Sequence, residues 1–187
     1  MHLFFRTILV IWRARRRRRR GDTVAPTEVS RLRLRTLPTD IDLIGHMNNG
    51  VYLSIFDLGR YDQMIRAGLW EPIRARGWYP VVVSETVSFR RSLELWSVFD
   101  VETRIVGFDE KAAIVEQRVV VDGEIYTRAL IRARFLSAGS GPVPIAELRE
   151  AVGVGFDELP PLPDWVAEWA AAAALPGTKA PAPSTWP

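Results

Sequence analysis

An α+β domain, with one strand, one long buried helix and four antiparallel strands in that order, is predicted by three observations. Residues 31–36 alternate Arg31, Arg33 and Arg35 with Leu32 and Leu34, the two-residue period of a half-buried strand. Residues 51–69 spread Val51, Leu53, Ile55, Phe56, Leu58, Met64, Ile65 and Leu69, with Tyr52 and Tyr61, over most of a helical circumference. Only a narrow polar stripe at Ser54, Asp57 and Arg60 remains, so this helix is buried. From residue 81 the chain turns to β-branched runs at 81–91, 96–106, 112–121 and 125–137. Strands segregated from the helix in this way define an α+β class.

Before the first strand, residues 1–20 read MHLFFRTILVIWRARRRRRR. The apolar part, residues 3–12, is broken by Arg6 and falls far short of the ~20 residues that a spanning helix needs. A secretory signal carries its charge before the apolar stretch; here the charge follows. Two readings stay open: a helix lying on an anionic membrane surface, or an apolar segment packed on the domain with a solvated arginine tail. Residues 21–29 (GDTVAPTEV) read as a linker, and the domain is expected over 30–138. Pro38 ends the first strand, residues 39–49 form a polar connection, and Asn48 or Asn49 caps the helix. Asp122-Gly123 is a two-residue hairpin turn between the last two strands. Residues 139–187 form a proline- and alanine-rich extension with short helices expected at 145–152 and 163–174 and a loosely held end.

At 187 residues the chain suits one core, and its 48% hydrophobic and 25% charged content is that of a globular protein. The net charge of +3 becomes −5 once the eight arginines of residues 1–20 are set aside, so the body is not a basic surface for specific nucleic-acid binding. No cysteine is present, which excludes thiolate metal sites and a cysteine nucleophile. His2 and His46 are the only histidines, so no transition-metal site is expected. No G-x-S-x-G elbow, P-loop or dinucleotide fingerprint occurs.

Chemistry concentrates between Asp40 and Tyr52, DIDLIGHMNNGVY. Two carboxylates, the body's one histidine and two amides fall just before the buried helix, whose N-terminus offers unpaired N–H groups and a partial positive charge. Gly45 and Gly50 let the backbone approach a ligand. An acid/base group beside a site for a developing oxyanion is what attack on an acyl carbonyl requires. Each residue alone is more often a cap or a satisfied core group. The period of residues 81–89 places Val81, Val83, Glu85, Val87 and Phe89 on one face, so Glu85 falls among apolar neighbours. It reads as a second site carboxylate with a raised pKa or, preferentially, as the partner of an arginine such as Arg90 or Arg91. Those arginines could instead meet the phosphates of a ligand.

The pattern D-x-D-x-x-G-H-M-N-N-x-x-Y resembles the signature of the 4-hydroxybenzoyl-CoA-thioesterase-like branch of hotdog proteins, and the element order over residues 31–136 resembles it too. The leading apolar-plus-arginine segment is similar to that of thioesterase-superfamily-member-6-like proteins. The resemblance implies an antiparallel sheet wrapped around the central helix and cofactor-free hydrolysis of acyl-CoA or acyl-ACP. Asp42 matches the catalytic aspartate, as nucleophile or as general base for water. His46 and Asn49 match positions that bind or polarise the thioester, while Gly45, Asn48 and Tyr52 line the substrate. Glu85, Arg90 and Arg91 complete the expected site. The family also implies a homodimer or dimer of dimers with sites between chains. A cytoplasmic location is expected, with peripheral contact of residues 1–20 at the inner membrane face as one of the two readings of that segment. A hotdog enoyl-thioester hydratase and a non-catalytic acyl-thioester binding module are the competing functions.

Overall fold

The leucine–arginine alternation makes β1 (Ser30–Arg35), with Ser30 and Leu32 buried and the arginines exposed. A computed structural model describes residues 3–153, 159–177 and 179–185. Of the C-terminal extension, residues 154–158, 178, 186 and 187 therefore lie outside the described residues. After β1 come the helices α2 (Asn49–Arg66) and α3 (Trp70–Ala75), then β2 (Trp78–Phe89), β3 (Val98–Phe108), β4 (Ala113–Val121), β5 (Glu124–Ser137) and the short β6 (Gly141–Pro142). The helix α3 falls between the expected helix and the first expected strand of the sheet, a stretch for which the sequence predicts no element. The strands form one antiparallel sheet in the order β1-β3-β4-β5-β2, with β6 added to β5. Val121 pairs with Glu124 across Asp122 and Gly123, both at positive φ, as a tight hairpin turn requires.

The inner face of the curled sheet closes on α2, whose Ile55, Phe56 and Leu58 are fully buried against Val101, Val119 and Ile131. Close approach is possible because residue 59 is glycine: a Cβ there would lie 2.7 Å from both Thr103 Oγ1 and Val101 Cγ1. Gln117 ties the layers together, its amide donating to the Phe56 carbonyl (2.9 Å) and Thr103 Oγ1 (2.8 Å) while its oxygen accepts from Arg60 (2.6 Å). On the outer face α5 (Asp164–Ala172) covers Ile114 and Leu130 with Val166, and α4 (Ile145–Val152) packs on α3 through the core.

The N-terminal segment is neither a tail nor detached. It forms α1 (Phe4–Arg19), a helix that runs through the arginines and packs along α2 with Leu3, Val10 and Ala14 buried. Arg17 lies 3.5 Å from the buried Asp62, and Arg18 donates to the Arg66 carbonyl. Burial pushes the Asp62 carboxyl above its ordinary value, against the opposing pull of Arg66 and Arg17. Among the described residues no helix is long and apolar enough to cross a membrane.

The strict alternation expected in β2 breaks at Val83. Register passes from Val82–Ala133 to Ser84–Arg132 and leaves Val83 out as a bulge. Glu85, Val87 and Phe89, opposite Ile131, Ala129 and Thr127, thus share the inner face with Val82 and Pro80 rather than with Val83 and Val81.

Candidate active site

Residues 41–47 close into a small hairpin before α2. Asp42 N–H donates to the His46 carbonyl (2.9 Å), Gly45 N–H to the Asp42 carbonyl (3.1 Å), and Ile41 bridges Met47. Gly45 takes φ +87°, a left-handed conformation that explains glycine at this turn. Asn48 is the helix cap: its Oδ1 accepts from Gly50 N–H at 2.9 Å. Val51 N–H donates to the Asn48 carbonyl, whereas the amide of Asn49, the first helical residue, has no acceptor among the described residues. It is the open donor at the positive end of α2.

The two carboxylates have different surroundings. Asp40 is fully buried; its Oδ2 accepts from Leu37 N–H (2.9 Å) and from Arg6 Nη1 (2.7 Å). Asp42 is half-buried, and one carboxylate oxygen accepts from Ile44 N–H at 2.9 Å. That bond fixes the carboxylate on the loop through one oxygen, and the second has no hydrogen-bond donor among the described residues. Leu43 and Ile44 beside it are 107% and 80% exposed, an uncovered apolar rim.

A second segment braces this loop. Met47 N–H donates to the Leu93 carbonyl (2.8 Å), Leu93 N–H donates to the Tyr52 hydroxyl (3.2 Å), and His46 bridges Glu94. Thr36 Oγ1 lies 2.7 Å from the Glu94 carbonyl and 3.0 Å from the Ser97 carbonyl, its single proton shared between them, and anchors the other end. Tyr52 is buried, with its ring edge-on to Phe89 and its hydroxyl titrating above the ordinary phenol value because of burial. The fold therefore gathers Asp42, Gly45, His46, Asn48, Asn49 and Tyr52, and brings residues 90–94 to the same end of α2.

Arg90 pairs with Glu124 (2.7 Å), and the Arg91 guanidinium lies over the Tyr126 ring, so neither pairs with Glu85 of its own chain. Glu85 sits farther along β2 near Asp57 and Arg60. Burial raises its pKa; Arg60 opposes the shift and Asp57 adds to it. Sequence reasoning missed Arg6, Leu93 and Glu94, because their roles come from backbone and ion-pair contacts between distant segments that leave no local pattern.

A cavity of about 150 Å³ opens between the C-terminal half of α2, α3 and the inner sheet face, walled by Tyr61, Met64, Ile73, Val115 and Phe135 with Asp57 and Arg60 among its lining residues. A void of that size accepts a benzene-sized apolar group. Tyr61 lies twelve residues into α2 from Asn49, roughly 18 Å along the axis. Among the described residues no cluster of three or more His, Cys, Asp or Glu side chains is arranged to hold a metal ion.

A long helix enclosed by a curled antiparallel sheet, with a polar loop at the helix start, is the hotdog class of α+β fold. The chain belongs to the thioesterase-like superfamily, whose family model matches residues 36–170. Protein THEM6 of Xenopus laevis is 34% identical over 133 residues, covering 71% of this chain and 63% of that protein. Protein THEM6 of Danio rerio is 39% identical over 100 residues, 54% of this chain and 50% of that one. The chain thus spans about half to three-fifths of the length of these relatives. Among solved structures, the probable thioesterase YbaW of Escherichia coli aligns with TM-score 0.61 and 21% identity over 65% of this chain and 95% of its own. The putative oleoyl thioesterase of Lactobacillus plantarum aligns with TM-score 0.63 and 20% identity over 73% of this chain and 55% of its own. At such identities these two likenesses speak for the fold.

Proposed function

We propose that this chain hydrolyses acyl thioesters, fatty acyl-CoA or acyl-ACP, to free acid and thiol, with residues 30–138 as the catalytic domain and no cofactor. The observation that carries the reading is the Asp42 carboxylate, half-buried on a tight loop at the amino end of α2 in a member of the thioesterase-like superfamily. As a general base, Asp42 takes a proton from water while the hydroxide adds to the acyl carbonyl. Collapse then breaks the C–S bond, and the proton passes to the departing thiolate. As a nucleophile, it adds to the acyl carbonyl and expels the thiolate, breaking the C–S bond to give a mixed anhydride; water then opens the anhydride to the free acid and the regenerated carboxylate, its proton passing to the thiolate. The Asn49 amide and the α2 dipole would stabilise the oxyanion, and His46 would polarise the thioester. Arg90 and Arg91, at the same end of the helix, are positioned for the carrier's phosphates.

The reading includes a homodimer. In the single chain the β2 edge leaves Tyr79, Val82, Val83 and Phe89 exposed, and the rim at Leu43 and Ile44 is bare. The apolar cavity also lies too far up α2 to hold a short acyl group whose carbonyl meets Asp42 of the same chain. Two copies sharing a site supply both requirements. The location proposed is cytoplasmic, with α1 resting on the inner membrane face.

Turnover across a panel of acyl-CoAs, followed by direct thiol detection, tests the activity. Asp42→Asn is expected to lower kcat by at least about 100-fold. A mutant rate equal to wild type removes Asp42 from the chemistry. Hydration of crotonyl-CoA without thiol release would make the protein a hydratase, and tight binding without turnover would make it a binding module.

A further inference from the structure

The loop that presents Asp42 is fastened by a residue of α1. Arg6, in the first turn of that helix, sends Nη1 to Asp40 Oδ2 at 2.7 Å and Nη2 to the Arg35 carbonyl at 3.1 Å. Its side chain is 17% exposed and that of Asp40 is 0% exposed. Asp40 in turn receives Leu37 N–H on its carboxylate and Asn48 N–H on its carbonyl, so one residue holds both the entry of the loop and the cap of α2. Asp40 Oδ1 is buried and accepts no hydrogen bond among the described residues, and Arg6 is its one salt-bridge partner among them. A buried carboxylate this dependent on one cation stays in place only while the cation does.

We infer that Arg6 is a positioning residue for the active site: α1 holds Asp40 through it, and Asp40 sets the stem from which Asp42 and the first turn of α2 project. The N-terminal helix is thus a part of the site's scaffold. The inference rests on the Asp42 reading for its catalytic consequence, but the fastening itself is measurable without substrate. A displacement of about 1 Å at a reacting group is enough to cost about 100-fold in rate, so a remote brace can act strongly.

The experiment compares Arg6→Met, Arg6→Lys and Arg18→Met in the full chain. Arg18 donates to the Arg66 carbonyl from the same helix but does not touch the loop, so its variant controls for loosened packing of α1. Hydrogen–deuterium exchange of peptides covering residues 41–48 is read beside kcat and KM on an acyl-CoA. In Arg6→Met, exchange over 41–48 is expected to accelerate at least about tenfold and kcat to fall about 10- to 100-fold with KM within about threefold. Arg6→Lys, which keeps a cation for Asp40, is expected to recover most of both, and Arg18→Met to alter neither. Should Arg6→Met fail to fold, Arg6→Lys against Arg18→Met carries the comparison, with a smaller but loop-confined change expected. Unchanged exchange over 41–48 overturns the fastening. Faster exchange with wild-type kcat overturns the positioning role. If the wild type hydrolyses no acyl-CoA, the functional reading fails while the exchange result still decides the fastening.

Discussion

Glu116 occupies the outer sheet face with its side chain buried, among three arginines. It accepts from Arg118 (2.7 Å), Arg128 (2.9 Å) and Arg104 (3.1 Å), residues of three different strands. Burial alone would raise its pKa; the hydrogen bonds from Arg118 and Arg104 outweigh that and hold it below its ordinary value of 4.5. The folded-state pKa is depressed, so the stabilisation is complete above pH 4.5 and is lost as pH falls through the lower folded value. Glu116→Gln should therefore cost about 2 kcal/mol at pH 7, and the gap to wild type should close in acid. Urea unfolding at pH 7 and pH 3 checks this, and a gap unchanged with pH refutes it. At this scale the sequence was legible where a residue's partner lies close by in the chain, as with the Asn48 cap of α2. It was silent on Glu116, Arg6 and Leu93, which take partners from other strands and segments far along the chain. Glu85 shows the intermediate case: period-two alternation set it among Val87 and Phe89 correctly, but it could not see the bulge at Val83.

Among the elements, the buried helix, the hairpin at Asp122-Gly123 and the five principal strands were readable because each carries its own periodicity or turn chemistry. Boundaries slipped by a few residues, since pairing with a neighbour, and not composition, ends a strand. The helix α1 was readable only as an ambiguity: its apolar part does pack on the domain, the arginines continue the helix and form no tail, and the membrane reading is a prediction. One stripe (Leu3, Val10, Ala14) faces the domain, while Phe4, Phe5, Ile8, Leu9 and Trp12 remain exposed beside Arg13, Arg16, Arg19 and Arg20. Arg16 also stacks over Trp12. An exposed apolar stripe next to uncompensated cations suits the headgroup region of an anionic bilayer. Co-sedimentation with phosphatidylglycerol vesicles is expected to capture the wild type, to fall several-fold in Phe5→Glu/Trp12→Glu, and to fall again with added salt. Equal recovery on neutral phosphatidylcholine vesicles would refute the electrostatic part, and no recovery on either would refute membrane docking. These substitutions lie on the exposed stripe, so thiol release in solution should be unchanged.

For the molecule as a whole, one surface that the fold leaves unfinished among the described residues is the edge formed by β2. This strand spans twelve residues, pairs with β5 alone among the described residues, and carries Tyr79, Val82, Val83 and Phe89 exposed, with the bulge at its middle. Long, apolar, unpaired edges are normally blunted by charge or covered, because they template association. Here the same strand runs from the apolar cavity, at Pro80 and Val82, toward the end of α2 that carries the Asp42 loop, where Phe89 meets Tyr52; Tyr61 of the cavity and Asn49 beside the loop are roughly 18 Å apart along α2. Association of two copies along β2 would remove the edge and bring one chain's loop toward the other's cavity, so assembly and activity should fail together. Light scattering should give twice the chain's 21.2 kDa at micromolar concentration. Val83→Lys, which sets a charge at the bulge without touching the core, should shift the protein to monomer and lower thiol release per chain at least about tenfold. For the wild type, activity per chain should be constant at high concentration and decline on dilution below the dimer dissociation constant, as mass action demands. A Val83→Lys protein that stays dimeric would place the interface elsewhere. A wild type that is monomeric and fully active at the assay concentration would return the whole site to a single chain.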